Sequence, residues 1–334
     1  METQLPMFTW VEANRGRVGF GLQVFPQPDD PAPGARVLQA GRLAEELGFD
    51  AFFLGDHPAY APECRVHLAV LASQTVRIRL GSVVNCALYR HPVMTARLAT
   101  DVDHLSAGRL ILGLGIGWNP DEFAQLGMAF PPVPERQEAL EEAVAIIRGV
   151  WGPHPFTYHG QFFQTNEERI TPPPLQRPGP PLLIAGAGER VTLRQVAQHA
   201  DACNFGAGSA TGGVRSPDDV RHKLNILRGH CEAVGRPFDD ILRTHFTTWL
   251  ILAEDEASAQ AKLNRYYPEG VPANKRETRI VGTPDTVLSY FQTLADAGIQ
   301  YFVVQSLDAG DEETFRLLAQ EVAPRVKLAA SPPA

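Results

Sequence analysis

The residues with the most chemical capacity lie at the ends of short apolar runs. Asp56 and His57 follow Ala51-Phe-Phe-Leu54. A histidine placed there can move a proton near neutral pH or hydrogen-bond a carbonyl of a bound group. The competing reading is a ring that merely caps a strand. Gly186-Ala187-Gly188 follows Leu182-Leu-Ile-Ala185 and precedes a helical pattern. Free backbone N–H groups there can face an anion at the helix N-terminus, with Arg190 adding charge. Two glycines in three residues exceed what a turn needs, which favours phosphate over an ordinary βα loop. In Arg109-Leu-Ile-Leu-Gly-Leu-Gly-Ile-Gly-Trp118, glycine falls at 113, 115 and 117. Losing every second side chain lets something flat, or another backbone, approach a buried strand closely. The stretch reads either as part of the floor of a cofactor pocket or as a strand bending to close a barrel. It is not a dinucleotide fingerprint: position 118 is Trp where that motif needs Gly, and Pro120 stands where its helix should open.

Other chemistries find less support. The ten histidines are scattered, with no pair at i, i+4 on a helix, so no metal site is expected. Cys64, Cys86, Cys203 and Cys231 are far apart and suggest neither zinc nor a disulfide framework. No Gly-x-Ser-x-Gly elbow is present. Lys275, Arg276 and Arg279 form a basic cluster that reads as a solvated face or as a hold for an acidic substrate or cofactor tail. The net charge of −8 gives no electrostatic reason to expect nucleic acid or an anionic membrane as a partner. No apolar run reaches membrane-spanning length, and Met1–Arg15 lacks the apolar core of a signal peptide. A reduced, cytoplasmic setting is the expectation.

Apolar runs and helical patterns alternate along the chain. Strands are predicted at 17–24, 50–54, 78–84, 110–114, 182–185, 201–205, 241–252 and 300–305. Each is followed by a helical segment; Gly48, Gly235 and Gly298 stop three of them, and Thr283-Pro284 opens another. Eight strands alternating with helices predict an α/β fold, a (β/α)8 TIM barrel with insertions. The barrel is expected as a single domain over 16–328, with insertions at 152–181 and 266–282 and terminal extensions at 1–15 and 329–334. In such a barrel the βα loops converge on one mouth. That gathers Asp56, His57, Ser82, Val83, Val84, Asn85, Gly115, Gly117, Trp118, Ala185 to Gly188 and Asn204.

The ordered set of motifs carries a resemblance. It comprises Asp56-His57, Tyr89-Arg-His-Pro92, Asp103-His-Leu-Ser-Ala-Gly-Arg109 and Gly113-Leu-Gly-Ile-Gly-Trp118. It continues with Leu183-Ile-Ala-Gly-Ala-Gly-Glu-Arg190, Ala200-Asp-Ala-Cys-Asn-Phe205 and Val281-Gly-Thr-Pro284. Together they resemble the bacterial luciferase-like monooxygenase superfamily of flavin- and deazaflavin-using barrels. Gly186 to Leu193, followed by Ala200 to Phe205, is more similar to the branch that uses coenzyme F420 than to the FMN-using luciferases. The resemblance implies an F420-dependent oxidoreductase, with an FMN-dependent monooxygenase fed by a separate reductase as the alternative. A non-catalytic flavin-binding protein is the reading from another class.

By the same resemblance His57 is the catalytic residue. Asp56, His57, Ser82, Val83, Asn85, Gly115, Gly117, Trp118, Ala185, Gly186, Ala187 and Gly188 bind the cofactor, the last three its phosphate. A non-prolyl cis peptide is implied near Ser82-Val83, and a homodimer is implied. Sugar-phosphate dehydrogenases of the superfamily carry a proton-donating Glu after the strand-four glycines. Trp118 stands at that position, which argues against that mechanism. The excursion with Trp118, Phe123, Met128 and Phe130 implies a mostly apolar small-molecule substrate.

Overall fold

The computed structural model describes residues 9–27 and 29–328. Eight parallel strands form its centre: β1 Gly19–Val24, β2 Ala51–Leu54, β3 Arg79–Ser82, β4 Leu110–Gly115, β5 Leu182–Ala185, β6 Ala202–Gly206, β7 Leu242–Leu252 and β8 Tyr301–Ser306. Each pairs with its neighbour in order, and β8 pairs with β1, so the sheet closes on itself.

Alternation along the strands sorts the apolar side chains into two cores. One set, including Phe52, Leu80, Leu112, Ile184 and Phe205, faces the surrounding helices. The other, including Phe53, Ile111, Leu183, Leu242 and Tyr301, fills the barrel interior. The helices present matching stripes: Pro33–Glu46 buries Val37, Ala40, Leu43 and Ala44. Local signals set their ends. Pro92 opens the helix Pro92–Leu105, and Ser216 and Asp219 form a capping box at the start of Pro217–Val234. Among the described residues no helix is long and apolar enough to cross a membrane.

Three expectations change in detail. Part of the segment expected as an N-terminal extension is built into the barrel. Trp10, on the short helix Trp10–Ala13, is fully buried and sits edge-on to Tyr301 at 5.1 Å. Only a large apolar side chain could close the barrel floor there, a role that its position ahead of the first strand did not show. The insertion at 152–181 holds an antiparallel hairpin, Phe156–His159 with Gln164–Glu168. The cis peptide lies at Val83–Val84, one bond beyond the expected place. The extension at 329–334 lies outside the described residues.

The strand-four glycines make room for the protein itself. A Cβ at Gly113 would lie 2.0 Å from the Ser82 carbonyl oxygen, and one at Gly115 would lie 2.7 Å from Val84 Cγ2. The bulge after β3 therefore occupies the space over β4. Because the obstacle at Gly113 is backbone, Gly113→Ala is expected to destabilise the fold by about 3 kcal/mol. A urea midpoint equal to that of the wild type would show that the gap is not needed.

Candidate active site

At the C-terminal ends of the strands a carboxylate and an imidazole, neighbours in sequence, go separate ways. Asp56 turns inward and is 5% exposed. Arg90 grips it bidentately, Nη1 to Oδ2 at 2.8 Å and Nη2 to Oδ1 at 3.1 Å. Arg65 reaches Oδ2 at 3.3 Å, and the Cys86 amide donates to the same oxygen. Glu63 joins both arginines, at 2.5 Å to Arg65 and 3.1 Å to Arg90. Asn85 accepts from Arg65 and donates to Ser82 Oγ and, at 2.9 Å, to the Gly113 carbonyl. The network thus ties the ends of β2, β3 and β4 together. Asp56, Glu63 and Cys64 lie close enough to hold a cation, but both carboxylates are already neutralised by the two guanidiniums. Burial pushes the Cys64 and Cys86 thiols up to about 12, so both stay protonated at neutral pH.

His57 turns the other way. Its Nδ1 lies 2.9 Å from Oε2 and 3.2 Å from Oε1 of Glu122, and 2.7 Å from the Tyr60 hydroxyl. Glu122 is 2% exposed, and His57 is its hydrogen-bonding partner. An ionised carboxylate only accepts, so it fixes the proton on Nδ1 and leaves Nε2 with a free lone pair. Nε2 makes no hydrogen bond among the described residues. The arrangement is that of a general base whose cationic form is stabilised by a buried carboxylate. Tyr60 stacks on the ring at 4.7 Å, and Trp118 stands edge-on at 6.2 Å. Burial, together with the Glu122 charge, pushes the Tyr60 phenol well up, so it remains a neutral hydroxyl.

The other expected positions fall in two groups. Val83, Gly115 and Gly117 lie at the β3–β4 rim, where Gly117 is held by Arg136 donating to its carbonyl. Arg136 stacks on Phe130 at 4.1 Å, which positions the loop carrying Trp118. Across the mouth lie Ala185, Gly186, Ala187 and Gly188. Gly186 has φ +130°, and a Cβ at Gly188 would meet Thr192 Oγ1 at 2.7 Å. No acceptor among the described residues takes the Ala187 or Gly188 amide. Lys223 and His222 pair with Glu189, while Arg190, beside the loop, makes no ion pair among the described residues. Arg279 is held between Trp249, at 4.6 Å, and the Tyr267 hydroxyl.

Sequence reasoning missed Glu122, Tyr60, Arg65 and Arg90 as site residues. Glu122 was hidden by its position: an acid in the first turn of Pro120–Gln125 is what any helix start favours. Phe123, expected to line the substrate, is fully buried against Tyr89 and Phe130, while Trp118 is 48% exposed.

A closed parallel barrel with a histidine–carboxylate pair and a glycine loop at one mouth defines a class, and comparison with known proteins names it. The profile of the luciferase-like monooxygenase family matches residues 17–281. The chain belongs to that family, in the branch that holds F420-dependent oxidoreductases. It is 28% identical over 323 residues to the F420-dependent glucose-6-phosphate dehydrogenase of Microbacterium testaceum, covering 87% of this chain and 93% of the relative. It is 27% identical to the 4-hydroxyprotoasukamycin monooxygenase of Streptomyces nodosus subsp. asukaensis, covering 92% of each. The fold matches the coenzyme F420-dependent tetrahydromethanopterin reductase of Methanopyrus kandleri with a TM-score of 0.76 at 22% identity, over 93% of this chain and 100% of that one.

Proposed function

We propose that the chain is an F420-dependent oxidoreductase that moves a hydride between the deazaflavin and a mostly apolar small organic substrate. The observation that carries this reading is the His57–Glu122 pair at the barrel mouth. Oxidising an alcohol carbon by hydride removal leaves a proton on the oxygen, and a base backed by a buried carboxylate is suited to take it. In the reverse direction the same nitrogen returns the proton to the carbonyl oxygen.

The chain's residues fit a phosphate-bearing, flat-ringed cofactor. Ahead of the helix Thr192–His199 the loop offers the Ala187 and Gly188 amides, which no acceptor among the described residues takes, while the Gly186 amide is held by the Asn204 carbonyl. Gln23 Oε1 is buried without a partner at the same end of the barrel, while its Nε2 donates to the Val83 carbonyl. Ala187 and Gly188 would hold the phosphate, and Val83, Gln23 and the strand-four rim would face the ring. When bound, the deazaflavin supplies the hydride chemistry. His57 holds the proton, Glu122 orients His57, and Trp118 stands against the edge of the ring at the mouth. Asp56 acts through the arginine network that shapes the rim.

The similarity to a monooxygenase over 92% of the chain supports a second reading, an FMN-dependent monooxygenase. A titration followed by fluorescence quenching and absorbance separates the two. F420 is expected to bind at least about tenfold more tightly than FMN, a difference of about 1.4 kcal/mol. The reverse order would favour the FMN reading and an oxygen-uptake assay. Binding of neither would overturn the role given to Gly186–Gly188.

A further inference from the structure

Tyr60 is an unusual neighbour for a catalytic histidine. Its hydroxyl lies 2.7 Å from the same Nδ1 that Glu122 engages, and its ring stacks on the imidazole with only 20° between planes. One nitrogen therefore faces a carboxylate, which can only accept, and a phenol, which can accept or donate. The carboxylate admits one tautomer only, while the phenol can bond to Nδ1 in either. With Glu122 ionised, Nδ1 carries the proton and Nε2 is a base. If the carboxylate is neutralised, the Tyr60 O–H can donate to Nδ1, and the proton then sits on Nε2. Glu122 is 3% exposed at its side chain, so water does not substitute for the carboxylate there.

We infer that Tyr60 is a positioning residue that competes with Glu122 for His57 Nδ1, so that the two together set which ring nitrogen carries the proton. This rests on the proposed role of His57 as the proton carrier. Tyr60 is 54% exposed, on the loop between β2 and the helix Cys64–Gln74, so this partner lies on the solvent side while Glu122 lies beneath. The Nδ1-protonated ring can take a proton at Nε2 from a substrate hydroxyl and return it from the same nitrogen to a carbonyl, whereas the Nε2-protonated ring bonded to Tyr60 cannot accept one there.

The test is long-range 15N–1H correlation NMR on the full-length apo protein labelled at histidine, with His57 assigned by its loss in His57→Gln. Because no cofactor is present, the result is independent of whether the protein uses F420 or FMN. In the wild type the proton is expected on Nδ1. In Glu122→Leu it is expected on Nε2, with Nδ1 shifted in the direction of an acceptor that receives a hydrogen bond. Adding Tyr60→Phe to Glu122→Leu should abolish that shift and, with neither partner left on Nδ1, return the ring to a mixture of both tautomers. An Nδ1 resonance unmoved by the added Tyr60→Phe, or a wild-type ring protonated on Nε2, would overturn the inference. Should Glu122→Leu not fold, Tyr60→Phe alone decides. It is expected to move the Nδ1 nitrogen and proton resonances while the backbone amides away from the loop stay in place, and unmoved resonances would again overturn it.

Discussion

His57→Ala is expected to lower turnover by about a hundred- to ten-thousand-fold, the range in which a positioned general acid or base contributes. Cofactor affinity should stay within a few-fold of the wild type, because the glycine loop that would hold the phosphate lies across the mouth from His57. The ring is bonded through Nδ1 alone, to Glu122 and Tyr60, so its removal breaks no strand-to-strand contact. Leaving Glu122 buried without its partner is expected to cost about 1–3 kcal/mol of stability. The comparison that checks this is a single-turnover rate set beside a binding titration for wild type and variant. A rate unchanged within threefold would remove His57 from the chemistry and revive the reading of a flavin-binding protein without catalysis. A loss of binding as large as the loss of rate would instead assign His57 to holding the ring.

Asp56→Ala has the largest expected effect on the fold. The carboxylate is nearly inaccessible and neutralises Arg90 and Arg65, and Arg65 is itself only 8% exposed. Removing one member of a buried ion pair leaves an uncompensated charge, a loss of about 3–5 kcal/mol. Glu63 stays in contact with both arginines, which places the expectation at the lower end of that range. Equilibrium urea denaturation gives the number directly. A loss below about 1 kcal/mol, combined with a selective fall in cofactor affinity, would show that Asp56 meets the cofactor and not the network. Asp56→Asn keeps the shape and one acceptor, and it separates the charge from the packing.

The two substitutions mark a division that adjacency in sequence conceals. Asp56 and His57 read as one motif, yet one braces the rim and the other faces the mouth. Successive residues leaving a strand point to opposite sides, and the sequence carries no record of which side holds the arginines. Arg65 and Arg90 stand 9 and 34 positions from Asp56, on different βα segments. Their convergence required the barrel to close.

By itself the sequence determined the local architecture. The apolar runs, the helical stripes, Pro92, the Ser216 cap and the stop glycines depend on side chains a few residues apart, and all are visible in one dimension. Eight such units, with βα loops on one face, also determined that Asp56, His57, Gly117 and Gly186–Gly188 share an end of the barrel. The tertiary structure decided what those residues touch. It showed that the strand-four glycines admit Val84 and the Ser82 carbonyl, that Trp10 closes the floor, and that Glu122 meets His57 from 65 positions away. An acid at a helix start carries the same local signature whether it only favours the helix or also meets a distant histidine. Only the packing of β2 beside β4 through the β3 bulge distinguishes the two.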